Sequence, residues 1–213
     1  MTTTESSSRR GADLARPRGP LMAWRTVDLV AAAMLGVAMG VAFWGWDFAW
    51  NVLDPAFKAF PPASGLLGGP WLLAGVLGAL VVRRPGAALL AELVAANVEY
   101  VIGNQWGAAT LISGAAQGLG VELALLIFAY RRFGWPVAAL GGALAALVES
   151  VYEWYAYWTD WDWFYKFVYA GTFAVSGAVI AGIGGWLLTR GLARTGALDA
   201  FPAGREAAEQ AAV

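Results

Sequence analysis

The stretch "RRPGAALLAELVAANVEYVIGNQWG", residues 83–107, decides how many times the chain crosses a membrane. A typical membrane-spanning helix has about 20 apolar residues. The apolar part of this stretch, residues 87–102, is shorter than that. It also contains Glu92, Asn97 and Glu99, so hydropathy alone makes it the least certain span. Whether it crosses the membrane therefore has to be inferred from the charged residues around it, beginning with Arg83 and Arg84.

The composition of the whole chain is that of a membrane protein. Hydrophobic residues make up 59% of it and charged residues 14%, with a mean hydropathy of +0.57. A soluble domain has about 25% charged residues. The chain has neither cysteine nor histidine, which excludes disulfides, thiolate chemistry, histidine metal sites and Ser/His or Cys/His catalysis within it.

Six apolar segments are long enough, or nearly so, to cross the bilayer. They are residues 27–46, 66–82, 87–102, 111–130, 136–157 and 167–188. With all six counted, the twelve arginines fall on the side of the two termini, and Lys58 and Lys166 fall on the other. Basic residues concentrate on the cytoplasmic side of membrane proteins. The sequence therefore predicts an all-α integral membrane protein with six transmembrane helices and both termini in the cytoplasm.

Polar segments flank this membrane domain, which we place at residues 26–190. Residues 1–25 are rich in Ser, Thr, Arg and Pro and are predicted to be a disordered cytoplasmic leader. Arg9 and Arg10 do not indicate a twin-arginine signal, because the apolar run begins too far downstream. Residues 191–213 are polar and alanine-rich, and we expect a frayed cytoplasmic tail there.

Five glutamates lie inside the predicted spans. An ionised side chain near the bilayer centre costs about 2.5–3.5 kcal/mol even on a mild scale, so none of them can face lipid. No Lys or Arg lies within the spans to pair with them. Protonation, hydrogen bonds, or a water-filled cavity that admits a cation are the remaining explanations. The five are Glu92, Glu99, Glu122, Glu149 and Glu153.

The helical rise sorts these acids by depth. It places Glu99, Glu149, Glu153 and Gln117 at one level in the outer half, since Glu99, for example, lies about 21 Å above Pro85. By the same count, Glu92 and Glu122 lie about 10–12 Å from the cytoplasmic side. We predict that this lower pair is structural and that its carboxyl groups share a hydrogen bond. Asn97 and Glu99 are about 200° apart around their helix, so only one of them faces the pocket directly.

The segment "ESVYEWYAYWTDWDWFY", residues 149–165, adds nine aromatic residues and four carboxylates and no basic side chain. An aromatic belt at the membrane interface could account for any single tryptophan here, but not for the acids. Carboxylates together with ring faces suit an organic cation, which gains about 0.5–2 kcal/mol from each cation–π contact. A hard metal cation needs several converging oxygens instead. We predict no catalytic residue, metal site or cofactor, and a substrate pocket of Glu99, Gln117, Glu149, Tyr152, Glu153, Trp154, Trp106, Asn97 and Trp161, closed by residues 161–165.

Three segments carry a resemblance to a known family. They are "RTVDLVAAAMLGVAMGVAFWGW" (25–46), "RRPGAALLAELVAANVEYVIGNQWG" (83–107) and "LISGAAQGLGVELALLIFAYRRFGWP" (111–136). In residues and spacing they resemble the YkoE-type substrate-binding (S) components of energy-coupling-factor (ECF) transporters, which handle thiamine or its hydroxymethylpyrimidine (HMP) precursor. The helix-five end and the Trp-rich loop match no family pattern.

The resemblance implies a subunit of the bacterial cytoplasmic (inner) membrane that captures a vitamin from outside. It implies an ECF transmembrane coupling subunit and ATPase subunits as partners in the bilayer, and no nucleic acid. The chain contains no G-x-x-x-x-G-K-[ST] motif, so we expect it to be a non-catalytic subunit. Ala32, Gly36 and Gly40 recur every four residues on the first helix and are predicted to dock a partner, with packing inside the bundle as the alternative.

Other functions remain open from the sequence. A proton-coupled small-molecule carrier could use the buried glutamates as a relay, although no inverted repeat is evident. A membrane enzyme with paired carboxylates is disfavoured by the absence of His and Cys. A purely structural subunit would not need acids at this depth. The sequence does not distinguish thiamine from HMP or another cationic heterocycle, and it does not identify the partner subunits or the oligomeric state.

Overall fold

The computed structural model describes residues 20–211, and these are helical almost throughout. The α-helices are α1 (Thr26–Leu53), α2 (Leu73–Val82), α3 (Ala87–Ile102), α4 (Ala109–Ile127), α5 (Trp135–Ala156), α6 (Trp163–Ser176), α7 (Gly185–Arg194) and α8 (Pro202–Ala211). A π-helical segment, Gly177–Gly184, joins α6 to α7. Three short 3₁₀ segments, Asp54–Phe57, Pro61–Leu67 and Gly69–Leu72, connect α1 to α2. The predicted all-α fold class is confirmed, whereas most of the predicted leader, including Arg9 and Arg10, lies outside the described residues.

Four helical stretches of the described chain are long and apolar enough to cross a membrane: Thr26–Phe57, Ala109–Ile127, Trp135–Ala156 and Trp163–Arg194. A fifth forms if Pro61–Leu67 and Gly69–Val82, which are bent by 43°, count as one span. The remaining predicted segment, the third in the chain, is α3, a helix with the bounds expected from the sequence. At 16 residues, with two glutamates, it is shorter than the four candidate spans. Every predicted segment is therefore helical, while six crossings and cytoplasmic termini remain predictions.

Small residues bring α1 and α3 into close contact. Ala32, Gly36 and Gly40 are buried on the face of α1 that packs against α3. A Cβ added to Gly36 would lie 2.6 Å from the carbonyl oxygen of Ala91, and one on Gly40 would lie 2.5 Å from that of Ala95. Because this stripe is covered by a helix of the same chain, it is not an open docking surface. The opposite face of α1 is exposed and apolar instead, with Val30, Met34, Val37 and Val41.

Close packing through glycines also positions α4 and α5. Gly114 of α4 lies against Ala96 of α3, and Gly120 on another face of α4 lies against Ala145 of α5. Helix α5 in turn contacts the π-helical segment through Gly142. Large side chains at these crossings would push the backbones apart. The close approach keeps the acidic faces of α3 and α5 within reach of one another across α4.

Ion pairs concentrate where α1 begins and α2 ends, and we call this the arginine end of the bundle. Arg84, with 1% of its side chain exposed, donates from Nε to the Asp28 carboxylate at 2.9 Å. Arg25 contacts the same carboxylate at 2.6 Å. Arg84 also donates to the carbonyl oxygen of Pro20 at 2.7 Å. This network holds the start of α1 against the α2–α3 turn.

The C-terminal segment is folded against the same end rather than frayed. Leu198, Phe201 and Ala203 are buried in a cluster with residues of α1, α2 and α3. Arg83 donates to the Glu206 carboxylate at 2.7 Å. The sequence indicated only a polar, alanine-rich tail, because the few apolar side chains that anchor this segment are too widely spaced to stand out.

Candidate functional site

A cavity of about 490 Å³ lies at the end of the bundle opposite the arginine end, and we call this the cavity end. The second half of α1, α3 from Glu92 onward, the first turns of α4, the end of α5 and the middle of α6 enclose it, together with Gly68 and Trp71 before α2. Binding pockets for small organic molecules typically measure about 300–1,000 Å³. The cavity therefore has the size of a small-molecule site.

Five carboxylates line this cavity, and no lysine or arginine of residues 20–211 does so. Three of the five, Glu92, Glu99 and Glu149, have 0%, 3% and 2% of their surface exposed. Both oxygens of Glu92, and one oxygen each of Glu149 and Glu153, meet no donor at hydrogen-bond geometry in the described part of the chain. Asp54 is the fifth acid. Burying carboxylates without partners is costly, so this arrangement favours a positively charged or donor-rich occupant.

Asn104 connects one acid to the loop between α3 and α4. Its Nδ2 donates to Glu99 Oε1 at 3.2 Å and to Thr110 Oγ1 at 2.8 Å. Its Oδ1 accepts from the backbone N–H groups of Trp106 at 3.0 Å and Gly107 at 2.6 Å. One side chain therefore fixes the orientation of the Glu99 carboxylate and the fold of the loop that carries Trp106.

Two further acids, Glu149 and Glu153, lie one turn apart on one face of α5. The Ser113 hydroxyl of α4 is close to the Glu149 carboxylate, and the Tyr169 hydroxyl of α6 is close to that of Glu153. The two carboxylates also lie near enough to influence each other. Each neighbouring helix thus supplies a hydroxyl to one acid, and one oxygen of each acid is left without a donor among the described residues.

Aromatic rings form the remaining walls. Trp50, Trp71 and Trp106 make a cluster, here called the tryptophan cluster, whose ring centroids are 5.2, 5.3 and 6.5 Å apart. Trp158 and Tyr169, at 5.6 Å, line another part of the cavity. Ring faces beside carboxylates provide both cation–π attraction and a surface on which a flat heterocycle can stack.

The structure brings five of the nine residues predicted for the pocket into the cavity lining. These are Glu99, Gln117, Glu149, Glu153 and Trp106. Asn97 is not among them, since its Nδ2 donates to the Leu93 carbonyl oxygen at 2.7 Å on the exposed side of α3. Of the two alternatives on this helix, Glu99 is the one that reaches the cavity.

The other three predicted residues lie behind or beside the lining. Trp161 stacks on Trp158 with a centroid distance of 4.2 Å and an interplanar angle of 18°. Trp154 donates from Nε1 to the Lys166 carbonyl oxygen at 3.2 Å. Tyr152 packs edge-on against Tyr157. Trp161 can therefore support a wall of the cavity through Trp158 but does not line it.

The two acids predicted to be structural have separate surroundings. The Glu122 carboxylate accepts from the backbone N–H of Ala88 at 2.8 Å, and this bond caps the first turn of α3. It also accepts from the Tyr130 hydroxyl. Glu92 lines the cavity instead, close to the backbone of Gly75. The expected hydrogen bond between Glu92 and Glu122 is replaced by these contacts, because the α3–α4 crossing directs the two side chains to different partners.

Several lining residues were not singled out from the sequence. Trp71, Trp158, Tyr169, Ser113 and Thr110 belong to this group. A signal was present along α1 and at the residue that caps its C-terminus, where Phe43, Asp47, Trp50 and Asp54 recur at helical spacing on one face. Asp47 is 6% exposed and accepts from Trp71 Nε1 at 3.1 Å. Most of this stripe lies after residue 46, where the first span was predicted to end, so it was not recognised as part of one helix face.

Comparison with known proteins gives three similarities. The sequence model of a family described as "ABC-type cobalt transport system, permease component" matches residues 27–148. The YkoE protein of Bacillus subtilis (strain 168), named as an HMP/thiamine permease protein, is 28% identical over 189 residues, which cover 87% of this chain and 93% of YkoE. A crystal structure of an S-component of an ECF transporter superposes with a TM-score of 0.83 at 28% identity, covering 88% of this chain and 95% of that one. The resemblance inferred from the three sequence segments is confirmed.

Proposed function

Because the chain belongs to the family of permease components of ABC-type cobalt transport systems, we propose that it is the substrate-binding S component of an ECF-type transporter for thiamine or its HMP precursor. The observation that carries this proposal is the cavity lined by five carboxylates and no basic side chain of residues 20–211. The name of YkoE and the superposed S-component supply the transporter class and the substrate class.

The walls of the cavity favour an organic cation over a bare metal ion. A divalent metal ion needs several oxygens converging on one point and gains little from indole rings. Here eight aromatic residues share the lining with the acids: Phe43, Trp50, Trp71, Trp106, Tyr157, Trp158, Tyr169 and Phe173. A flat cationic heterocycle can contact both the acids and the rings, because carboxylates neutralise its charge and aromatic rings stack on its faces.

In the proposed topology the cavity end faces outward and the arginine end faces the cytoplasm of a bacterial inner membrane. Six crossings with both termini inside agree with the distribution of Arg and Lys. The substrate enters from outside, and its release inward depends on an ECF coupling subunit and ATPase subunits. The chain itself has no nucleotide-binding motif, and its role is binding rather than catalysis.

The function is tested by titrating the purified chain with thiamine, HMP and Co²⁺ while recording tryptophan fluorescence. Three rings of the tryptophan cluster line the cavity, so an occupant that stacks there should quench emission. We expect saturable quenching by thiamine or HMP and a much weaker response to Co²⁺. A response to Co²⁺ alone would contradict the proposed substrate class.

A proton-coupled carrier is separated from this proposal by transport in vesicles. The isolated chain should bind its substrate without accumulating it, since accumulation requires the ATPase partners. Accumulation driven by a pH gradient alone would favour the carrier, in which the buried glutamates relay protons.

A further inference from the structure

A second cavity, of about 370 Å³, lies at the arginine end and takes no part in the proposed function. Leu80 and Arg83 at the end of α2, the loop before α5, one face of α7, and α8 surround it. It is separated from the first cavity by the length of the bundle. Its lining therefore has to be explained by a different occupant.

The lining carries an excess of positive charge. Three guanidinium groups, those of Arg83, Arg190 and Arg194, border the cavity together with one carboxylate, that of Glu206. Glu206 lies 2.7 Å from Arg83. Arg190 is placed over the Trp186 ring, with its Cζ 4.8 Å from the ring centroid. The balance of these charges suits an anion.

The level of this cavity along the bundle is that of lipid headgroups. The apolar stretch Trp163–Arg194 ends beside it, and two tryptophans at this level, the half-buried Trp186 and the 53% exposed Trp135, have the position of an interfacial belt. On α7, Leu187 is 57% exposed and precedes Arg190 and Arg194 at helical spacing on the same face. Arginines at the cavity with an exposed leucine next to them on the membrane side match a phosphate with an acyl chain below it.

We propose that this cavity binds one anionic phospholipid, with its phosphodiester between Arg190 and Arg194 and an acyl chain along Leu187. Leu80 and Phe133 form the apolar floor. Basic pockets between helices on the cytoplasmic side are suited to acidic headgroups, and guanidinium groups bind phosphate oxygens through charge-assisted hydrogen bonds.

The test counts phosphatidylglycerol and phosphatidylcholine molecules bound to the full chain in native mass spectrometry. We expect one phosphatidylglycerol to bind in preference to phosphatidylcholine. The double variant Arg190→Gln/Arg194→Gln should weaken that binding about tenfold or more, whereas the matched variant Arg131→Gln/Arg132→Gln, whose arginines are exposed and outside the lining, should change it less than about threefold. Equal binding of both lipids, or equal losses in both variants, would overturn the proposal.

Two additional measurements test the position of the lipid and distinguish it from free phosphate. Phosphatidylglycerol with brominated acyl chains should quench Trp186, so Trp186→Phe should remove a component of the quenching while keeping both arginines and an aromatic ring beside Arg190. Unchanged quenching in Trp186→Phe would contradict the position assigned to the lipid. Inorganic phosphate should fail to displace the bound lipid. Displacement by millimolar phosphate would identify a free-phosphate site and overturn the lipid assignment.

Discussion

The two ends of this bundle share helices α1 and α3, yet they surround their buried ionisable side chains differently. At the arginine end, Asp28 lies between Arg25 and Arg84, so opposite charges meet. At the cavity end, Glu92 and Glu149 retain oxygens without donors among residues 20–211 and face aromatic rings. Opposite charges that satisfy each other hold a structure together, whereas buried acids without partners indicate a ligand. The comparison separates stability from binding, and substitutions at each end should separate them experimentally.

The largest expected effect is on stability, at the arginine end. Asp28→Asn removes the negative charge of a carboxylate that two arginines share, one of them the buried Arg84 at 2.9 Å. Breaking a buried ion pair from one side costs about 3–5 kcal/mol. The midpoint of thermal unfolding in detergent should fall strongly, while ligand affinity of the remaining folded protein should be unchanged. A variant with unaltered thermal stability would show that the pair is not what holds this end.

A smaller effect on binding is expected at Asn104, which orients Glu99 and the Trp106 loop. Asn104→Ala removes a hydrogen bond to a carboxylate, and such bonds contribute about 1.5–3 kcal/mol. Because this bond is present with and without ligand, thiamine affinity should drop by less than that energy, through the lost positioning of Glu99 and Trp106, in a fluorescence titration. Asn97→Ala is the matched control, because it removes an exposed amide that bonds only to its own helix. Equal losses in the two variants would contradict the positioning role of Asn104.

The aromatic walls should contribute less for each ring. Trp106→Leu removes one face of the tryptophan cluster and should weaken binding of a cationic ligand by about 0.5–2 kcal/mol, the range for a single cation–π contact. Trp154→Leu serves as the control, since Trp154 lies outside the lining. Isothermal titration of both variants measures the difference. If Trp154→Leu were the more damaging change, the placement of the cavity would be wrong.

The smallest effect concerns the stability of the unliganded protein. Glu149→Gln removes one of several mutually repelling carboxylates, so the variant without ligand should be at least as stable as the parent, with a gain of about 0.5–2 kcal/mol at most. This is the opposite sign to the effect of Asp28→Asn. Thermal unfolding of both variants in the same detergent checks the sign. A strongly destabilised Glu149→Gln would mean that this acid is structural.

The sequence predicted the parts of this architecture that depend on local rules. Helical rise placed Glu99 and Gln117 at the level where both line one cavity, and hydropathy with arginine placement identified α3 with the bounds it has. Which face of a helix turns inward depends on packing, and there the sequence was less informative. It left Asn97 and Glu99 as alternatives and assigned the Ala32 stripe to a partner, although the glycines of that stripe pack against α3.

The walls of the cavity were harder to predict, because they come from segments far apart in the chain. Trp71 precedes α2 and Tyr169 lies in α6, yet both border the same space. The Trp-rich segment at residues 149–165 drew attention through its composition, but most of its rings pack against one another. Only Tyr157 and Trp158 of its aromatic residues reach the lining. Composition indicated the right region, and tertiary contacts selected the residues.

The central claim is that the acids of the cavity end neutralise a bound organic cation. The most direct test compares the affinities of thiamine, which is permanently charged, and of its neutral pyrimidine half for the parent, for Glu149→Gln/Glu153→Gln, and for Glu122→Gln as a control outside the lining. We predict that the double variant loses about 2–5 kcal/mol of thiamine binding and far less for the neutral compound, while Glu122→Gln changes neither. Unchanged thiamine affinity in the double variant would contradict the account.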